Sequence, residues 1–160
     1  MLDFYKEIKE YLEQTKKDCK AFIAVDTLKY LKKGGRITPA AAAIGTLLNI
    51  KPILEVGNGK LDSCAKAMSM KQAKQKIISN LKKLIEEQYI EEVKNGQVLL
   101  ALAHSQEDLN SVELKQFEEE IKEAIGLPIY CKDPLPLFVV CHTGPGALAA
   151  GLIVDKIGIV

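Results

Sequence analysis

The chain has 160 residues, and its 22 Lys and Arg against 21 Asp and Glu give a formal net charge of +1, so no global field draws it to nucleic acid or an anionic membrane. That length suits one compact domain with a single core, able to bury roughly two thirds of its unfolded surface. The four cysteines, Cys19, Cys64, Cys131 and Cys141, lie far apart, which speaks against a metal-ligand pair or a disulfide framework and for reduced, intracellular thiols. The charged start Met-Leu-Asp-Phe-Tyr-Lys-Glu lacks the apolar core of a signal peptide, and no segment reaches the roughly 18 apolar residues of a membrane span. A soluble, cytoplasmic protein with no stable membrane insertion and no bound metal is expected.

Phe4, Ile8, Tyr11, Leu12 and Thr15 recur at helical spacing and predict an amphipathic surface helix over residues 3 to 17. Ala21 to Val25 reads as a short buried strand. Asp26 is placed to cap a helix that runs through Leu28 and Leu31 and stops at Gly34. In the following Gly34-Gly35-Arg36-Ile37-Thr38-Pro39, two glycines end that helix, Thr38 can cap the next, and Pro39 fits its first position. Arg36 therefore stands on a turn, where its guanidinium can hold a carboxylate or phosphate bidentately; the plain alternative is a surface arginine beside a helix end. Ala40 to Leu48 is apolar on nearly every side, as a helix is when it packs against another helix or lines a cavity for an apolar ligand.

Lys51 to Val56, a turn at Gly57-Asn58-Gly59, and Lys60 to Cys64 read as a hairpin. Ser69 with Gln72 forms a capping box for a helix with Ala73, Ile77, Leu81, Leu84 and Ile85 in one stripe. Gln97 to Ala103 reads as a buried strand ended by His104 and Ser105, with His104 a structural residue. Asn110 with Glu113 is set to open a helix carrying Leu114, Phe117, Ile121 and Ile125, stopped at Gly126. Leu127 to Cys131 is a further strand before the Pro134-Leu135-Pro136 break, and Ala147 to Val154 reads as the last strand.

The most informative stretch is Phe138 to Ala147. The run Leu137 to Cys141 is short, β-branched and flanked by prolines, which predicts a strand buried on both faces. His142 and Thr143 then stand at its carboxyl end. Gly144-Pro145-Gly146 allows a tight turn whose backbone N–H groups approach a ligand closely. An imidazole N–H, a hydroxyl and turn amides together suit a carboxylate or phosphate oxygen, although a strand-end histidine is also a common hydrogen-bonded structural residue. Strands alternating with helices, plus one hairpin, give an α/β fold. It is a single domain with a mixed β-sheet and flanking helices, residues 1–20 forming an amino-terminal helix and 21–160 the core. In such sheets ligands gather outside the carboxyl ends of strands.

Two stretches together carry a family resemblance: Leu28 to Thr38 leading into Leu48 to Leu54, and His142-Thr143-Gly144-Pro145-Gly146-Ala147. They resemble the DegV family, the fatty-acid-binding subunits of bacterial fatty acid kinase, and the similarity runs from about Ala21 to Leu152. The resemblance implies a non-catalytic protein that holds one long-chain fatty acid with its tail buried and needs no other cofactor. A separate catalytic subunit would phosphorylate the carboxylate to an acyl phosphate. Carried over by motif, the ligand set is His142, Thr143, Gly144 and Gly146 with Arg36 and Thr38; His142 would hold the carboxylate, Arg36 would lie near the head group or the kinase-facing surface, and the helix over 39 to 48 would flank the tail.

Family members have two domains, and the resemblance here covers only the carboxyl-terminal one. At about 0.8 kcal/mol per buried methylene, a sixteen-carbon tail gains roughly 11 kcal/mol on full burial, and half a pocket forfeits roughly half of that. The expectation is a chain that is a fragment or split product, or one whose pocket is completed by a second copy in a homodimer or by a separate first-domain chain. Two other classes stand beside this: a hydrolase or transferase using His142, and a regulatory module that docks on a kinase without lipid. Against the enzyme stands the expectation that Cys141 and His142, as neighbours on a strand, point to opposite faces and form no catalytic pair.

Overall fold

A computed structural model describes residues 2–35, 50–57, 59–105 and 111–156. In chain order the elements are α1 (Leu2–Thr15), β1 (Lys20–Ala24), α2 (Lys29–Lys33), β2 (Lys51–Gly57), β3 (Lys60–Ala67), α3 (Met70–Leu84), a π-helical turn (Ile85–Tyr89), α4 (Ile90–Lys94), β4 (Val98–His104), α5 (Val112–Ile125), β5 (Ile129–Pro134), α6 (Leu137–Thr143) and β6 (Leu148–Val154). The strands form one sheet in the order β3-β2-β1-β6-β4-β5. Only the β4–β5 pair is parallel, and every other neighbouring pair is antiparallel. This is the mixed α/β sheet expected from the sequence, hairpin included.

Period-two patterning decides which face each strand buries. Along β4, Val98, Leu100, Leu102 and His104 are buried while the residues between them are half-buried. Phe22, Ile53, Leu100, Leu102 and Leu152 meet Ile77 and Leu81 of α3 and Phe117 and Ile121 of α5 in the larger core. Burying each such side chain contributes about 1.5–3 kcal/mol. A smaller core on the opposite face joins Ile23, Leu54 and Ala149 to Val25 and to Leu31 of α2. The two faces thus differ: α3 and α5 cover one, and α2 occupies part of the other.

Caps explain where the helices start. Ser69 Oγ accepts from the Gln72 amide at 3.2 Å, the cap read from the sequence, while Gln72 Oε1 accepts from the amide of Met68, one residue before the N-cap, at 2.7 Å, so the reciprocal bond of the expected capping box is displaced by one residue. The expected cap Asn110 lies outside the described residues. Ser111 caps α5, its Oγ accepting from the Leu114 amide at 3.3 Å, and Gly126 ends the helix at φ 77°. Asp26 does not cap α2. The helix begins at Leu28 with no side-chain cap, because the Asp26 carboxylate is drawn instead to Lys51 Nζ at 2.6 Å.

Helix α1 forms as the surface helix that the spacing predicts, with Phe4 63% and Leu12 57% exposed. One expectation fails on packing. The run Leu137 to Cys141 is no buried strand but belongs to α6, where Leu137 is 78% and Phe138 73% exposed. A short apolar run does not distinguish strand from helix by periodicity. Here Pro136, at φ −55° and ψ 145°, stands at the N-cap, a position that tolerates its missing N–H.

Candidate functional site

Antiparallel register brings the Gly144-Pro145-Gly146 turn to the place a strand end would have reached. Leu148, the first residue of β6, lies opposite Ala24 at the end of β1 and opposite His104 at the end of β4. Since β6 runs the other way, the segment that precedes it crosses the carboxyl ends of its two neighbours. Ser105 ties the turn down: its Oγ accepts from the Ala147 amide at 2.8 Å, and its amide donates to the Ala147 carbonyl at 3.0 Å. The Leu135 amide donates to the His104 carbonyl at 2.7 Å, so the entry to α6 starts from the same end of the sheet.

His142 lies in the last turn of α6, not on a strand. It is half-buried, and its Nδ1 is buried with no hydrogen-bond partner among the described residues. Thr143 is 4% exposed, and its hydroxyl donates to the Val139 carbonyl at 3.1 Å, one helical turn back. The Gly144 amide donates to the Val140 carbonyl at 2.7 Å; this N–H closes the helix, which corrects the reading of it as a free turn donor. Gly144 and Gly146 take φ 78° and 76°, conformations that L side chains seldom adopt. Arg36, Thr38 and the apolar stretch 40–48 lie outside the described residues.

Cys141 and His142 are helical neighbours, so opposite strand faces do not separate them. Cys141 is exposed while the His142 Nδ1 is turned inward. Four residues beside the turn were not read as site residues from the sequence. Tyr30 of α2 packs on Gly144, where an added Cβ would fall 2.3 Å from its ring. Ser105 holds the turn. Lys51 and Asp26 form an ion pair beside it, Gly146 standing with its missing Cβ 3.4 Å from the Asp26 side chain. Pairing among β1, β2, β4 and β6 brings these residues together; no local motif announces them.

A cavity of about 800 Å³ lies elsewhere, between α3 and α5, and is lined by Lys71, Lys74, Glu113, Glu119 and Glu123 among others. Its one buried cation, Lys74, is paired with Glu113 at 3.4 Å, and the remaining carboxylates disfavour an anionic ligand. Among the described residues no cluster of three His, Cys, Asp or Glu side chains is placed to hold a metal ion. Nor is any of their helices long and apolar enough to cross a membrane.

The profile of the family described as "Uncharacterised protein, DegV family" matches residues 4–155. The chain belongs to the DegV family. A DegV domain-containing protein of Clostridium perfringens is 34% identical over 152 residues, 93% of this chain and 48% of that protein. Another, from Clostridium acetobutylicum, is 35% identical over 154 residues, 94% of this chain and 49% of that protein. Among solved structures, DegV of Bacillus subtilis, described as a fatty acid binding protein, is 29% identical with a TM-score of 0.66, over 93% of this chain and 49% of its own. A DegV family protein from Thermus thermophilus, described by its fatty acid binding, is 28% identical with a TM-score of 0.70, over 93% of this chain and 50% of its own. A stearic-acid-binding protein of Eubacterium ventriosum reaches a TM-score of 0.80 at 20% identity, over 94% of this chain and 50% of its own, a likeness of fold. This DegV chain therefore spans about half the length of the curated relatives it matches.

Proposed function

We propose that this DegV chain binds one long-chain fatty acid, with the His142 imidazole donating to the carboxylate. The observation that carries the reading is the seat of His142, half-buried beside a turn laid across the carboxyl ends of β1 and β4. Open α/β sheets bind ligands at such ends. The fatty acid binding stated for the Thermus thermophilus and Bacillus subtilis relatives supports the choice of ligand. Thr143, Gly144 and Gly146 act chiefly by shaping the turn, and Arg36 with Thr38 complete the head-group site from the segment after Gly35. The chain itself performs no chemistry: it presents the carboxylate, in the cytoplasm, to the catalytic subunit of a kinase that forms the acyl phosphate. The rest of the tail pocket comes from a counterpart of the relatives' remaining half or from a partner copy. The exposed Leu137 and Phe138, on the helix that ends in His142, support that division.

Calorimetric titration of the full chain with palmitate tests the assignment of His142. Losing a hydrogen bond to a charged group costs roughly 1.5–3 kcal/mol, so His142→Ala is expected to weaken binding by roughly 10- to 100-fold. Equal affinity for the variant and the wild type removes His142 as a ligand.

A further inference from the structure

Two rings and two glycines interlock α2 with α6. The His142 imidazole lies against Gly34 at the end of α2, where an added Cβ would fall 2.0 Å from Nδ1. Reciprocally, the Tyr30 ring of α2 lies against Gly144 at the end of α6, with a Cβ there 2.3 Å from Cδ2. The reason for a glycine differs between neighbouring positions. Gly34 has φ −81° and ψ 2°, open to any residue, so the missing Cβ is required for space. Gly35 is the reverse, with φ 64° and no atom within 4 Å of an added Cβ.

The contact also bears on the imidazole's chemistry. A proton on Nδ1 would be a donor buried against Gly34 without an acceptor among the described residues, and folded proteins rarely leave such a donor unpaired. A bare lone pair there is tolerated better. In the neutral ring the proton then sits on Nε2. We infer that Gly34 is a positioning residue: by admitting the ring edge it fixes His142 as the Nε2–H tautomer and aims that N–H outward as the donor for an anionic head group. The identity of the anion rests on the fatty-acid reading above; the tautomer and its cause do not.

The test uses the full chain with ¹⁵N-labelled histidine, without lipid, at alkaline pH. The chain has two histidines, and His142→Ala assigns their signals. The expected spectrum shows His142 protonated on Nε2, with Nδ1 far downfield. Gly34→Ala is expected to mix the tautomers and to lower the folding equilibrium constant about tenfold or more, whereas the same substitution in a His142→Ala background changes it by less than about twofold. A dominant Nδ1–H form, or an equal loss in both backgrounds, overturns the inference. Should Gly34→Ala not fold, recovery of the fold in the double variant supports the inference, and failure of the double variant overturns it. Palmitate titration supplies the functional arm: a binding wild type with an equally binding Gly34→Ala variant contradicts the positioning role. A wild type that binds no palmitate even with its partner copy or complementary half present contradicts the fatty-acid reading instead, and the NMR and folding arms still decide on Gly34.

Discussion

Glu118 carries its electrostatics across two elements. From α5 its carboxylate accepts from Lys122 Nζ at 2.6 Å and from Lys132 Nζ of β5 at 2.9 Å. The hydrogen bond from Lys122 and then that from Lys132 hold its carboxyl below the usual glutamate value. A depressed folded-state pKa means that the unfolded chain binds the proton more readily. The stabilisation is therefore fully present above the ordinary carboxylate range and is lost as pH falls through the folded value. Glu118→Gln is expected to cost about 0.5–1 kcal/mol at pH 7, with the gap from wild type closing in the acid range; urea unfolding at several pH values measures it, and a pH-independent gap contradicts the pairing. The residues of the candidate site were unequally legible. His142 stood out because a polar pair followed by two glycines interrupts an apolar run. Tyr30 and Ser105 did not, since each acts on a residue far along the chain, on Gly144 and Ala147 respectively, and one sequence carries no signal of such a contact.

At the scale of elements, what a short local pattern encodes came through. Ser69 caps α3 as its spacing with Gln72 predicts, and Ser69→Ala should lower stability by about 1 kcal/mol, read as a shift in the urea midpoint with unchanged slope. Gly126, at φ 77° with no atom within 4 Å of an added Cβ, needs glycine for conformation alone; Gly126→Ala is expected to cost about 1 kcal/mol. What depends on neighbours did not come through. The run Leu137 to Cys141 has a strand's composition, yet nothing local states that a helix follows Pro136 or that its first turn faces outward. This reversal is itself testable. With Phe138 73% exposed, Phe138→Ser should change stability by less than about 0.5 kcal/mol. A buried strand position would cost about 3–5 kcal/mol on truncation, so a loss of that size in a thermal melt would contradict the placement of α6.

For the whole molecule, alternation of strands and helices gave the α/β class, and the hairpin gave the antiparallel edge, but the strand order β3-β2-β1-β6-β4-β5 is a matter of long-range pairing. That order is what carries the turn before β6 across the ends of β1 and β4. His142, expected at a strand's carboxyl end, stands instead in the last turn of a helix, and the turn that follows it crosses two such ends. The molecule leaves Phe4, Leu12, Leu137 and Phe138 exposed and spans about half the length of its curated relatives, and the fatty acid proposed for this half can be sought by native mass spectrometry of the purified chain, followed by organic extraction. The expected result is a protein carrying one fatty acid per pocket, alone or as a dimer, and loss of that mass in the His142→Ala variant. A folded chain that stays lipid-free, both alone and with its partner copy or complementary half present, would contradict it.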